Sequence, residues 1–275
     1  MTDRKPATTL IRADHVSRAA LVDLWDGLQR YEMWGRFAFH EIRQRFRRSL
    51  LGPFWLTASM GVFIAALGLI TSTISHQDMS QALPYIATGV IFWGLITSCI
   101  TDGSVVFISR EDYIRNVPMP ISVHLYQMIA RNLIIWIFNM VIYLAIAIVF
   151  HLVPNANTLL FLAAGPILLI NITWMALAAG ILSTRYRDIP PVIASLIQVV
   201  FFLTPIFWSV RSLPDHPAFV SANPFYHLLE IAREPLLGNA PTATSWIVSI
   251  ILAVVGVFAT AKLYQRAQPR IAYWV

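Results

Sequence analysis

The sequence predicts an all-α integral membrane protein with six transmembrane helices. Two global observations carry that prediction. Of 275 residues, 57% are hydrophobic and only 12% charged, about half the charge of a soluble domain. Mean hydropathy is +0.64, more apolar surface than a soluble core of this size hides, whereas a bilayer accommodates it. The third observation is local: long stretches contain no Asp, Glu, Lys or Arg, and their lengths are those of membrane crossings.

These uncharged gaps place the elements in order. A helix needs about 20 apolar residues to cross the hydrocarbon core. The interval from Arg48 to Asp78 encloses 29 uncharged residues, Asp78 to Asp102 encloses 23, Asp188 to Arg211 encloses 22 and Glu234 to Lys262 encloses 27. Arg131 to Arg185 encloses 53, enough for two crossings, and HLVPNAN (151–157) supplies Pro-Asn turn chemistry between them. Expected spans are therefore 53–75, 82–106, 126–150, 158–182, 190–209 and 242–262, within a transmembrane domain 53–263. Residues 1–52 form a cytoplasmic N-terminal segment and 264–275 a cytoplasmic tail.

Six crossings put both ends of the chain on one side, and the arginine bias selects the cytoplasmic side. Ten Lys/Arg precede the first span, three lie around 107–131, two in TRYRD and three after the last span; only Arg211 and Arg233 fall on the other side. The net charge of +6 is read as this topological excess, so no nucleic-acid partner is expected. The first forty residues lack an apolar core followed by a small-residue cleavage site, so no signal peptide is expected. The single cysteine, Cys99, excludes an internal disulfide.

The N-terminal segment reads as an amphipathic interface helix. Leu21, Leu24, Trp25, Leu28 and Tyr31 recur at helical spacing, and Trp34, Phe37, Ala38, Ile42 and Phe46 continue the pattern. Arg36, Arg43 and Arg47 project from another face, a combination suited to the headgroup plane. Gly52-Pro53 ends the surface helix and opens the first span. Arginines Arg43, Arg45, Arg47 and Arg48 thus stand directly against an unbroken apolar run. They either enforce topology or hold an anionic head at the membrane surface, and both roles are compatible.

Several chemistries are excluded. Only two lysines exist, Lys5 and Lys262; neither follows glycine, so no GxxxxGK[ST] phosphate loop exists. The seven histidines form no HExxH pair, and one cysteine cannot build a thiolate metal site. No span carries a central Asp, Glu or Lys of the kind that marks proton relays. No cofactor, metal or catalytic constellation is expected in this chain, and a membrane-embedded glycan or lipid transferase lacks the acidic pair it needs.

Two polar segments remain informative. In SREDYIRNVPMPIS (109–122), Ser109 and Asp112 suggest a capping box starting a brief helix, stopped by Pro118 and Pro120. The helix presents Glu111, Asp112, Tyr113 and Arg115, as a solvated linker or as a plug for a soluble partner. In NPFYHLLEIAREPLLG (223–238), Phe225, Leu228, Leu229, Ala232 and Leu236 form an apolar stripe, with Glu230, Arg233 and Glu234 as its polar complement. This helix is too short and charged to span, so it is interfacial or re-entrant, a lid or an outer gate. Trp208, Trp246 and Trp274 suit an interfacial belt. Trp93, Trp136, Tyr143 and Trp174 lie deeper, where they pack or offer ring faces to sugars, and Trp55 near the first span joins that set.

The arginine-rich stretch leading into Leu51-Gly52-Pro53, together with ILSTRYRDIPPVI (181–193), TPIFW (204–208) and Asn223-Pro224 with its helix, gives the chain a family likeness. It resembles the membrane (permease) subunit of bacterial ABC exporters of O-antigen, capsular and teichoic-acid type polysaccharides, from about residue 30 onward. The resemblance implies a type-2 ABC exporter permease in the bacterial inner membrane, working as a homodimer. It implies a separate nucleotide-binding subunit that binds ATP and Mg2+, and a lipid-linked polysaccharide as substrate. It also implies that 109–116 is the coupling element and that 223–238 holds the periplasmic gate residues Phe225, Tyr226, His227, Glu230, Arg233 and Glu234. A permease of the same architecture exporting a drug or a simple lipid is the alternative.

Overall fold

The structure, a computed structural model, describes residues 8–49, 52, 54–75, 78–208, 210 and 218–275, with side chains described from Ala19 onward in the first helix. Pro53 and Arg211, to which the sequence assigns a helix start and an outer position, lie outside the described residues. The elements are α1 (Thr8–Gln29), α2 (Tyr31–Arg45), α3 (Phe54–Ser75), α4 (Met79–Val105), α5 (Glu111–Asn116), α6 (Ser122–Val149), α7 (Phe161–Arg185), α8 (Ile189–Leu203), α9 (Ala218–Ser221), α10 (Pro224–Arg233) and α11 (Ala243–Trp274). Short 3-10 turns at Ile108–Arg110 and Ala156–Leu160 precede α5 and α7. Among the described residues there is no strand.

Among the described residues five helices are long and apolar enough to cross a membrane: α3, α4, α6, α7 with its preceding turn, and α11. The sixth expected span is α8, with only 15 residues, about 22 Å long against a hydrocarbon core of about 30 Å. Proline limits it at both ends. Pro190 and Pro191 occupy its first turn, and Thr204, held extended before Pro205, terminates it. At the other extreme α11 runs for 32 residues, so the expected tail 264–275 continues it as helix almost to the end.

Burial identifies α4 as the central helix: 67% of its apolar window is covered by protein, against 17–33% for the other four. Phe92, Ile96 and their neighbours on α4 anchor a large core shared with α6, α7 and α10. A smaller core at the opposite end of α4 joins Phe107, Leu125, Leu177, Tyr264 and Ile271, and takes in Ala20 of α1. The contact of α4 with α7 depends on small residues, because a Cβ on Gly103 would lie 2.7 Å from that of Ala176. Close approach of this kind suits apolar helices that gain nothing from burying leucine against leucine in lipid.

The surface helices follow the expected periodicity and turn most of their large apolar residues away from the protein. Leu21, Trp25, Leu28 and Tyr31 are exposed, while Ala20, Ala38 and Ile42 are buried. Most of the large apolar side chains therefore face outward from the α1–α2 layer, and its contacts are made by Ala20 and Ala38 with Leu24 and Ile42. At Gly27 the approach to α6 leaves no room for a side chain: a Cβ would stand 2.0 Å from Ser122 Oγ. The 151–157 connection is a hairpin as expected, with Asn155 capping the turn into α7.

Candidate functional site

The cytoplasmic end, as the charge bias assigns it, is organised by carboxylates. Glu41 on α2 accepts from Arg110 (2.9 Å) and Gln127 (2.8 Å), and pairs with Arg131 on α6. Arg131 also reaches Asp102 on α4 (2.6 Å), where Asn132 donates as well (3.0 Å). Burial alone would raise the pKa of Glu41. The Arg131 and Arg110 guanidinium groups, with the Gln127 hydrogen bond, outweigh it and hold the carboxyl below its usual range. Next to this network His124 is buried with neither ring nitrogen partnered, and its ring lies 6.1 Å from that of Tyr113.

The brief helix expected at 109–116 exists as α5, and Val117, extended before Pro118, ends it. The expected capping box does not form. Ser109 donates back to the Val106 carbonyl, and a 3-10 turn leads into α5 with no side-chain cap. The competing hydrogen bond to the preceding turn is the physical reason. Glu111 and Arg115 pair with each other at 2.9 Å, and Arg115 also donates to the Val275 carbonyl. Asp112 and Tyr113 remain exposed, so α5 presents an acid and an aromatic ring at the surface.

Arg43, Arg45, Arg47 and Arg48 are all exposed, and among the described residues none forms an ion pair. Arg43 borders a shallow, open depression with Phe37, Phe39 and His40. A row of free guanidinium groups beside exposed rings can bind phosphate bidentately while apolar chains stay in lipid.

The opposite end holds a second buried network, around α10. Asn223 caps this helix, accepting from the Phe225 amide at 3.0 Å. Its polar side does not face water, contrary to the amphipathic expectation: Glu230 is 5% and Arg233 2% exposed. Glu230 accepts from Ser245 Oγ (2.5 Å) and the Thr242 amide (3.1 Å) at the start of α11. Burial would raise the Glu230 pKa, and these hydrogen bonds bring it below the usual range. His227 bridges Ser245 and the Ser221 carbonyl. Arg233 lies over the Tyr85 ring, 3.8 Å from its centre, and donates to the Pro205 carbonyl at 2.8 Å. Its Nε is 3.5 Å from Glu234. The polar complement thus turns inward because α11, Tyr85 and the end of α8 supply partners that water would otherwise provide. Tyr226 borders this network, and burial raises its pKa.

The five deeper aromatics do not share one wall within a single chain. Trp93 packs on Phe201 and Phe225, at 6.0 and 5.8 Å. Trp136 packs on Phe92 and Phe161. Tyr143 donates to the Leu236 carbonyl at 2.6 Å, Trp174 donates to Asn171 at 3.0 Å, and Trp55 is exposed on α3. Asp23, Glu41, Tyr85, Arg110 and Gln127 were not singled out from sequence. The only signal available for Glu41 was an acid isolated among arginines.

Residues 37–237 match the ABC-2 type transporter family. This interval takes in part of α2, the α5 loop, the central helices and α10, well over half of the chain.

The chain belongs to the ABC-2 type transporter family.

Relatives extend the comparison. The O-antigen export system permease protein RfbA of Myxococcus xanthus is 19% identical over 239 residues, covering 84% of this chain and 91% of the relative. A permease of the same name from Klebsiella pneumoniae is 20% identical over 235 residues, covering 82% and 90%. This chain is thus an ABC transporter permease homologous to O-antigen export permeases, and a multi-pass membrane protein.

Proposed function

We propose that the chain is the transmembrane subunit of an ATP-driven exporter that moves a lipid-linked polysaccharide outward across the bacterial inner membrane. The observation that carries this reading is the near full-length match to O-antigen export permeases. Two copies form the path, and a separate ATPase subunit binds ATP and Mg2+ and engages α5 through Asp112 and Tyr113. The free arginines 43, 45, 47 and 48 take the phosphate-rich head while its hydrocarbon tail stays in lipid. Trp55, Trp93, Trp136, Tyr143 and Trp174 contribute to the path between copies, and α10 closes its outer end.

Six crossings, with both ends of the chain cytoplasmic, are supported by the heights of the two ends of α8. It starts just after α7, whose Gly180 abuts the Gly103 carbonyl at the inner end of α4. It ends at Pro205, whose carbonyl accepts from Tyr85 near the other end of α4. From residue 85 to residue 103, α4 rises about 27 Å. The non-helical TPIFW segment curls at the level of Tyr85, whose hydroxyl donates to both the Pro205 and Trp208 carbonyls.

The test is deletion of the gene in its host, with surface polysaccharide measured alongside co-purification of an ABC ATPase. Loss of surface glycan, with lipid-linked glycan retained inside, is expected, and the ATPase should co-purify. Unchanged surface glycan would refute the reading, and a simultaneous loss of drug or lipid efflux would favour the alternative cargo.

A further inference from the structure

We propose that the N-terminal segment is a two-point clamp on the coupling loop, with Asp23 and Glu41 as positioning residues that pass the movement of α5 into α6 and α2. This rests on the permease reading above. The two carboxylates hold the loop at its two ends. Ahead of α5, Glu41 binds Arg110 at 2.9 Å. Behind it, the Ile121 and Ser122 amides donate to the Asp23 carboxylate at 2.9 and 3.1 Å.

Asp23 is a cap supplied from another helix. Its carboxylate meets the free amides at the start of α6, where the helix dipole also favours an anion. The Tyr264 hydroxyl of α11 donates to the same carboxylate at 2.7 Å. Ser122 Oγ donates to the Asp23 carbonyl at 2.6 Å, and the Tyr126 hydroxyl to the Leu24 carbonyl at 3.1 Å. With no room for a side chain at Gly27, α1 seats directly on the first turn of α6. The polar and small residues of α1 make this joint, while Leu21, Val22 and Trp25 stay exposed.

Between the two joints the Tyr113 side of α5 is open, while Ile114 packs on the core shared with α11 and Arg115 holds the Val275 carbonyl. A cavity of about 230 Å³ bounded by Phe37, Glu41, Tyr113 and His124 separates it from α2. Force applied to Tyr113 therefore leaves the loop through its two ends and through the Arg115 contact past the end of α11. One end leads through Arg110 and Glu41 to the helix that carries the exposed arginines. The other leads into α6, a continuous 28-residue helix whose Tyr143 bonds to the Leu236 carbonyl just after α10. One rigid helix thus links the clamped loop to the outer network.

The test separates hydrolysis from export in the intact permease–ATPase complex. Surface polysaccharide is measured in the host, and ATP turnover on the purified complex. Asp23→Ala should lower export about tenfold, the scale of lost charge-assisted hydrogen bonds, with ATP turnover per complex within about twofold. Asp23→Asn should export between Asp23→Ala and wild type, because its amide oxygen still accepts from one α6 amide while its NH2 faces the other. Glu41→Gln, which keeps its shape and loses its charge, should show the same split between export and hydrolysis even if Asp23→Ala does not insert. Normal export by Glu41→Gln, export and turnover falling in proportion, or Asp23→Asn failing as badly as Asp23→Ala would each overturn the clamp. A wild-type complex with no export would instead remove the permease reading on which the clamp rests.

Discussion

Arg233 is 2% exposed in a chain that has abundant lipid and water around it. Its charge is held by the Tyr85 face and the Pro205 carbonyl, so one side chain ties α10 to α4 and to the end of α8. Arg233→Ala should cost about 3 kcal/mol, through a desolvated cation–π contact and a charge-assisted hydrogen bond. Arg233→Lys should recover less than half, since an ammonium cannot stack as a plane. Thermal unfolding in detergent reads both, and a lysine variant as stable as wild type would remove the planar contact from the account. Arg47 and Arg48 make the opposite case, being exposed and, among the described residues, without ion pairs. Arg47→Lys with Arg48→Lys satisfies the positive-inside rule but loses the bidentate fork, at about 1.5–3 kcal/mol for a charged hydrogen bond. Export should fall tenfold or so with orientation unchanged under accessibility labelling; full export would reduce both residues to topology signals. The arginines were legible as residues because their contrast with the following apolar run is local. Glu41 was not, because Arg110, Gln127 and Arg131 lie 69, 86 and 90 positions away in the chain, and nothing local pairs them.

At the scale of elements, periodicity and breakers act within a turn or two, and the elements they define were the ones found. Pro118 and Pro120 bound α5, Asn223 and Pro224 start α10, and the 151–157 turn separates α6 from α7. Which face of an element is buried depends on its neighbours, and at α10 the apolar stripe misled: its charged side faces in. The short α5 puts the element reading to work. Its Glu111–Arg115 pair is half-exposed at 2.9 Å and worth well under 1 kcal/mol. Replacing Glu111, Asp112 and Tyr113 together by alanine should therefore leave the permease folded and inserted. It should lose most of its ATPase in a pull-down, and export with it. If pull-down and export both stay normal, α5 is a linker and the partner docks elsewhere.

For the whole molecule the question is the direction of the chain through the bilayer, since six crossings and five put the C-terminal end on opposite sides. Apolar totals announced a membrane protein directly, because hydrophobic composition survives any arrangement of the helices. The number of crossings was harder to read, because α8 stays uncharged for a full span while Pro205 ends its helix early. Lys and Arg number eighteen on the assigned inner side against two outside, so six crossings satisfy the positive-inside rule. Five would carry Lys262, Arg266 and Arg270 to the outer face. Single cysteines in a Cys99→Ala background distinguish the two. Val153 in the α6–α7 hairpin is 81% exposed and Tyr273 near the end of α11 is 85% exposed, so both sites accept a membrane-impermeant maleimide without unfolding. Val153→Cys should label in intact spheroplasts, and Tyr273→Cys only after the membrane is opened. Labelling of Tyr273→Cys in sealed spheroplasts would show that α8 turns back before crossing. Residues 264–275 would then stand outside, out of reach of Arg187 and Arg115, which donate to the Trp274 and Val275 carbonyls.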